Sequence, residues 1–457
     1  MAKLQTYLPH ARGLLVLGLP LVGSHLTGLF IHMTDTVMMG WYGVEDLAAM
    51  VLAGAFWFTL FIVGTGFGSA LPALVATAMA QGDERQVRRV TRMAVWLTLI
   101  YAALVTPIYL MAEQILLAIG QEPRVAELAG DYLMIAGWSV FPTMLIFLVR
   151  SYLSALERTG VVLWVTSGAV VIHAALNWVL IFGNLGFPEM GIKGAAISTL
   201  LTDTTILVIL TLYALRVFPE HDLLARFWRP DWAAFRQVYR MGWPIGLQVL
   251  AEVALFTGAA IMMGWIGATV LAAHGIALQL AAITFLFHLG MSNAATIKAG
   301  QAIGRNDPQA LREGALVAVT MSFLFALMTM TLFLLFPEFL LGLFLDPADP
   351  DTPAVIAAGV VLLSMAALFQ VADGGQAMAI GLLRGVHDTR IPMVIAIVGY
   401  WVIGMPVAYV LGFVFDVGGV GVWWGLVAGL TAVWVALSVR FWTRRDWITA
   451  EAAAAPA

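Results

Sequence analysis

Met38-Met39-Gly40-Trp41-Tyr42-Gly43-Val44-Glu45-Asp46-Leu47-Ala48-Ala49 returns as Met262-Met263-Gly264-Trp265-Ile266-Gly267-Ala268-Thr269-Val270-Leu271-Ala272-Ala273, 224 residues further on. That offset is close to half of the 457 residues, and it holds without a gap from Pro20 and Pro244 to Asp83 and Asp307. Beyond it the correspondence loosens: Leu153 and Thr159 match Leu383 and Thr389 at an offset of 230, which requires a few inserted residues. Two copies of one unit in a strongly apolar chain point to a membrane protein of paired bundles. Duplicated bundles suit transport, because a site between two similar halves can be exposed to either side.

The chain is 61% hydrophobic and 11% charged, with a mean hydropathy of +0.92. Apolar runs of this density serve a bilayer-spanning bundle rather than a soluble core. Twelve spans are expected, at 13–39, 47–80, 93–118, 130–153, 161–183, 194–216, 238–265, 271–303, 313–345, 354–383, 392–415 and 419–441. The fold class is therefore all-α integral membrane, twelve helices in two six-helix bundles. Domains follow as 1–220, a cytoplasmic linker at 221–237, and 238–457. The first span carries Asp35 and no cleavage signature, so it reads as an anchor rather than a signal peptide. The Ala-rich tail after Glu451 reads as disordered. With six spans per half the copies enter the membrane in the same orientation, as parallel repeats.

Of 23 Lys and Arg, 21 fall in or beside the termini and the even-numbered loops, among them Arg85, Arg88, Arg89 and Arg92; only Arg124 and Lys193 fall opposite. The positive-inside bias then places both termini in the cytoplasm, in a multi-pass protein of the inner cell membrane. The absence of cysteine excludes disulfides and thiolate metal sites. The net charge of −4 gives no reason to invoke nucleic acid. No phosphate-binding G-x-x-x-x-G-K-[ST] loop, H-E-x-x-H or nucleophile elbow occurs, so the chain reads as no enzyme and as having no nucleotide engine of its own. Transport has to run on an ion gradient.

Acidic side chains deep in a bilayer are expensive and usually functional. Four lie inside spans: Asp35, Asp203, Glu252 and Asp373. No Lys or Arg is expected at comparable depth, so these acids must be protonated, hydrogen-bonded or paired with an imported cation. Under the repeat, Asp35 matches Ala259 and Glu252 matches Gly28, which puts one acid on the same face of each half's first helix. Asp373 has no acidic counterpart; its match lies near Thr143. This asymmetry points to a two-carboxylate cation site in the second half and a separate proton or substrate site in the first. Gln248, Gln370 and Gln376 lie within a turn of Glu252 or Asp373 and are expected to support them. His32 lies three residues before Asp35, and His173 and Asn177 form a one-turn pair; bundle packing and ligand binding are both open readings for these. Asp203 has local partners in Thr202, Thr204 and Thr205. Aromatics such as Trp57, Phe61, Trp164 and Phe369 suit either an apolar cavity or ordinary packing.

The opening Pro20…Asp35…Met39-Gly40…Leu47-Ala48-Ala49 resembles the multidrug and toxic compound extrusion (MATE) family. So do Ala80-Gln81-Gly82-Asp83 and Leu383-Arg384-Gly385…Asp388-Thr389. Glu252, Asp373 and Leu176-Asn177-Trp178…Gly183 look like the NorM branch. The resemblance implies a V-shaped, twelve-helix antiporter that exports amphipathic organic cations in exchange for Na⁺ or H⁺, without a cofactor or a partner protein, as a monomer in the lipid bilayer. It implies that Asp35, Glu252 and Asp373 bind the cation or proton, with Na⁺ at Glu252 and Asp373. Phe369 stands where a tyrosine is expected, His173 where an asparagine is usual, and Ile181 where the DinF-like branch carries an acid. A lipid-linked oligosaccharide flippase of the same broader superfamily is the alternative, less favoured because the chain shows no buried basic residues for a pyrophosphate. An ion channel fits the acids but not two whole-bundle repeats.

Overall fold

The computed structural model describes residues 2–444, the first five of them by backbone alone. The alanine-rich tail after Glu451 lies outside the described residues. Within them every regular element is helical, and twelve helices are long and apolar enough to cross a membrane. They are α1 (Ala2–Tyr42), α2 (Val44–Gln81), α3 (Glu84–Leu110), α4 (Pro123–Ala155), α5 (Thr159–Phe182), α6 (Gly191–Val217), α7 (Trp232–Ile266), α8 (Ala268–Gly304), α9 (Pro308–Leu335), α10 (Thr352–Gly385), α11 (Arg390–Val414) and α12 (Gly419–Thr443). A helix satisfies its backbone groups internally, which is what hydrocarbon demands of a spanning segment.

Two spans end earlier than expected. The run 93–118 breaks one turn after Pro107, where Met111 leaves helical geometry, and a short helix Ala112–Ala118 follows. The run 313–345 breaks at Phe336 (φ −129°, ψ 41°), and a second short helix, Pro337–Gly342, follows. A proline ring crowds the residue before it out of the α region. In α4 a 3₁₀ turn at Gly137–Ser139 precedes Pro142, which has no N–H to give the Trp138 carbonyl. In α11, π-helical stretches at Gly399–Gly404 and Val410–Val414 flank Pro406.

The sequence repeat is also a repeat of local geometry. Gly82 and Asn306 both take left-handed backbone conformations (φ 74° and 53°). After them the N–H groups of Asp83 and Asp307 return to Ala78 and Ala302, each at 2.9 Å. The same two aspartates then cap the next helix, accepting from Gln86 N and Ala310 N at 2.9 Å. In the looser part, Glu157 and His387 both have φ 60°, and Arg158 N and Asp388 N close onto Leu153 and Leu383. The offset of 230 read from the sequence joins both pairs.

Packing divides the chain into two compact units, Gly23–Gly246 and Leu247–Ala457 with Met1–Val22. The division falls inside α1 and α7, not in the 221–237 segment expected as the boundary. The two cuts are themselves 224 residues apart, so the first part of each copy's leading helix packs in the unit built mainly from the other copy. Glycines make this possible. In the Gly23–Gly246 unit a Cβ on Gly66 of α2 would lie 2.2 Å from the Gly242 carbonyl oxygen of α7. In the other unit a Cβ on Gly290 of α8 would lie 2.5 Å from a Val22 methyl and 3.1 Å from the Gly18 carbonyl oxygen. Gly18 and Gly242 match under the repeat, as do Gly66 and Gly290. Small residues let helix backbones touch where no hydrophobic effect drives helices together.

Candidate functional site

In the Gly23–Gly246 unit a polar network forms around Asp35 on α1. Oδ1 of Asp35 meets Nε2 of His173 and accepts from Nδ2 of Asn177, both at 2.7 Å. Both partners are on α5, one turn apart, and both are fully buried. Nδ1 of His173 is 3.0 Å from the Thr202 hydroxyl of α6. The His173 ring thus bridges Asp35 on α1 and Thr202 on α6, with Nδ2 of Asn177 3.2 Å from the same Nε2. The one-turn pair and the first-half acid, separated by some 140 residues, come together. His32 does not join them: it is exposed, three residues before Asp35 and about 60° round the helix from it.

Asp203, on α6 beside Thr202, is half-buried and accepts from the Thr143 hydroxyl of α4. The local threonines are otherwise engaged, Thr204 and Thr205 with their own helix carbonyls and Thr202 with His173. Thr143 is the residue that matches Asp373 at the offset of 230. Tyr132 of α4, missed in the sequence, lies within electrostatic reach of both Asp35 and Asp203.

In the other unit, Oε1 of Glu252 on α7 accepts from Nε2 of Gln376 on α10 at 2.8 Å. Asp373, one turn before Gln376, is 4% exposed and lies within electrostatic reach of Glu252. Tyr400, in the π-helical part of α11, is buried beside Glu252 and Gln376 and lies within electrostatic reach of both acids. Gln248 is buried one turn from Glu252 without bonding it, and its Nε2 has no partner. Gln370 turns away, donating to the Thr284 hydroxyl (2.6 Å) and the Ala281 carbonyl (3.3 Å) of α8. Phe369 packs edge-on to Phe256 and Trp423, and so fills an aromatic cluster.

The expectation that the acids have no cationic partner of the chain's own is corrected for Glu252. Arg384, at the end of α10, is half-buried within electrostatic reach of Glu252, and Arg92 on α3 is only 8% exposed. Their positions near helix ends read as loop charges in the sequence. Among the described residues no three His, Asp or Glu side chains gather as a metal-binding group. A cation at Glu252 and Asp373 would have to draw on neutral oxygens as well.

One feature is common to both units. Asn177 donates its amide N–H to Asp35, and its own carbonyl oxygen is buried without a partner. Gln376 donates to Glu252, and its carbonyl oxygen is likewise buried and unpartnered. A buried carbonyl normally finds a donor or a cation. Each site thus offers a carboxylate and an orphaned amide oxygen side by side, a donor set that fits a small hard cation or a proton carrier.

The MatE family model matches residues 20–179 and 244–410, one match in each copy of the repeat. The probable multidrug resistance protein NorM of Rhizobium meliloti (strain 1021) is 46% identical over 449 residues, 97% of this chain and 96% of that protein. Its counterpart in Agrobacterium fabrum is 43% identical, covering 95% and 94%. Among solved structures, a MATE crystal structure in a bent conformation superposes with a TM-score of 0.87 at 19% identity, over 97% of both chains. A eukaryotic MATE transporter, AtDTX14, gives 0.84 at 18%, again over 97% of both.

Proposed function

Because the chain belongs to the MatE family, in its NorM branch, we propose that it is a multidrug efflux antiporter of the inner cell membrane, with both termini cytoplasmic, exporting amphipathic organic cations in exchange for Na⁺ or H⁺. The observation that carries the exchange is the paired orphan carbonyl: Asn177 beside Asp35, and Gln376 beside Glu252 and Asp373. A buried and a half-buried carboxylate within reach of one another are not both ionised without a compensating charge, and Arg384 supplies only one. A proton or Na⁺ arriving at Glu252 and Asp373 supplies the other. His173 holds Asp35 in place and sets which lone pairs face an incoming cation.

Coupling follows from competition. An organic cation and the driving ion draw on the same negative charge, so loading one lowers affinity for the other, and the reciprocity of linked binding makes the effect mutual. Aromatic side chains such as the stacked Trp57 and Phe61 (centroids 4.7 Å apart) supply flat apolar faces for the drug body. Chain orientation follows the Lys and Arg distribution.

The test is neutralisation. Glu252→Gln and Asp373→Asn keep shape and hydrogen-bonding capacity while removing charge, and each is expected to abolish ion-driven efflux with expression intact. Full efflux in either variant would overturn the assignment.

A further inference from the structure

Arg92 lies two turns into α3 and is 8% exposed. Its Nη1 donates to the carbonyls of Ala225 (3.3 Å) and Arg226 (3.0 Å) in the segment between α6 and α7. Its Nε is buried with no partner, and so is the hydroxyl of neighbouring Thr91. Among the described residues no carboxylate pairs with this guanidinium. Asp231 is taken by Arg89, with bonds of 2.5 and 3.1 Å, and Asp222 by Arg88 at 3.3 Å. The charged groups around Arg92 are Arg88, Arg89, Arg229 and Asp231, so the local balance is positive. A half-spent, buried guanidinium costs free energy unless something anionic reaches it.

Arg92 and Thr91 both line a cavity of about 460 Å³ bounded by α3, α4, α6 and the segment that follows α6. The rest of its wall is almost wholly apolar, with Val95, Leu99, Leu145 and Leu207 among the lining side chains. Val208, Leu212 and Leu224 at its rim are 49%, 48% and 60% exposed, so the cavity opens on the outer surface of the bundle. Its size is that of a small-ligand pocket, roughly 300–1,000 Å³. An apolar slot headed by unpaired positive charge repels the organic cations of the transport cycle. It fits an anionic amphiphile, and in a bilayer the abundant species of that kind is an anionic phospholipid.

We propose that this cavity is a regulatory or structural binding site for one anionic glycerophospholipid of the leaflet at the arginine-bearing end of α3. The phosphate sits at the Arg92 end of the cavity, drawn by its positive charge, and one acyl chain lies along the wall of α3, α4 and α6. The site is separate from the four acids within the spans: none of Asp35, Asp203, Glu252 or Asp373 lines the cavity.

The test is native mass spectrometry of the full-length protein in detergent, titrated with phosphatidylglycerol and with phosphatidylcholine of the same acyl chains. Phosphatidylglycerol is expected to bind the more tightly. Arg92→Gln is expected to weaken it about tenfold, the loss of one positive charge, and to weaken phosphatidylcholine, whose choline cation offsets its phosphate, by less. Thr211→Phe fills the apolar wall without touching the guanidinium, and is expected to weaken both lipids; it decides the matter should Arg92→Gln fail to fold. Equal affinity for the two lipids, or unchanged phosphatidylglycerol binding in the folded variants, would overturn the proposal. So would glycerol phosphate binding as tightly as phosphatidylglycerol, since the apolar wall would then contribute nothing.

Discussion

Replacing Asn177 by leucine removes both functions of its amide at nearly constant volume. The N–H that Asn177 gives Asp35, at 2.7 Å, is a hydrogen bond to a carboxylate. Such bonds contribute about 1.5–3 kcal/mol, and with about 1.4 kcal/mol per factor of ten the change in ion half-saturation is roughly ten- to a hundredfold. Its sign depends on the ion. Na⁺ would lose the orphaned Asn177 oxygen as a ligand, so half-saturation moves to higher Na⁺. A proton competes with the N–H for the same carboxylate oxygen, so removing the donor lets transport saturate at a lower proton concentration. The assay is efflux of a fluorescent organic cation from proteoliposomes, in a Na⁺ series at fixed pH and a pH series without Na⁺. A folded Asn177→Leu protein with both half-saturations unchanged would refute the role given to this network.

Gln376→Leu should weaken ion coupling about tenfold through the lost bond to Glu252, whereas Gln370→Leu, facing α8, should leave it intact; efflux half-saturation distinguishes them. Gly66→Ala puts a Cβ 2.2 Å from a backbone oxygen of α7 and should lower the thermal midpoint in detergent, at a cost of about 1–3 kcal/mol. Gly54→Ala, where a Cβ meets nothing within 4 Å, is the matching control. The Arg89 guanidinium holds the Asp231 carboxyl below its ordinary value of 3.8. A depressed value means the stabilisation is present above 3.8 and is lost as pH falls through the lower, folded value. Thermal midpoints of the parent and Asp231→Asn, followed from neutral pH to below 3.8, should therefore converge in acid.

Much of this molecule is legible in its sequence because lipid leaves the backbone few options. Long apolar runs become helices, and the repeat carried through to the paired turns at Gly82-Asp83 and Asn306-Asp307. The glycines at 18, 66, 242 and 290 were visible as well, but not their meeting. Helix-to-helix approach is a tertiary fact, so the packing boundary inside α1 and α7 could not be read from loop composition. The sites show the same limit. Spacing along one helix correctly joined His173 to Asn177, but it also set Gln370 and His32 beside acids from which they turn away. A separation of three residues leaves about 60° of rotation, enough to face a different neighbour. Thr143, Tyr132 and Arg384 come from other helices or helix ends, and no local pattern announces them.

We propose that an ion gradient, acting through intramembrane carboxylates beside orphaned amide oxygens, drives export. This is tested most directly by reconstituting the protein and measuring efflux of a fluorescent organic cation under a Na⁺ gradient alone and a pH gradient alone. The same two gradients are then applied to a protein carrying Asp35→Asn, Glu252→Gln and Asp373→Asn together. Efflux driven by at least one gradient in the parent and by neither in the triple variant is the expected result. Export in the parent that ignores both gradients, or gradient-driven export that survives all three substitutions, would contradict it.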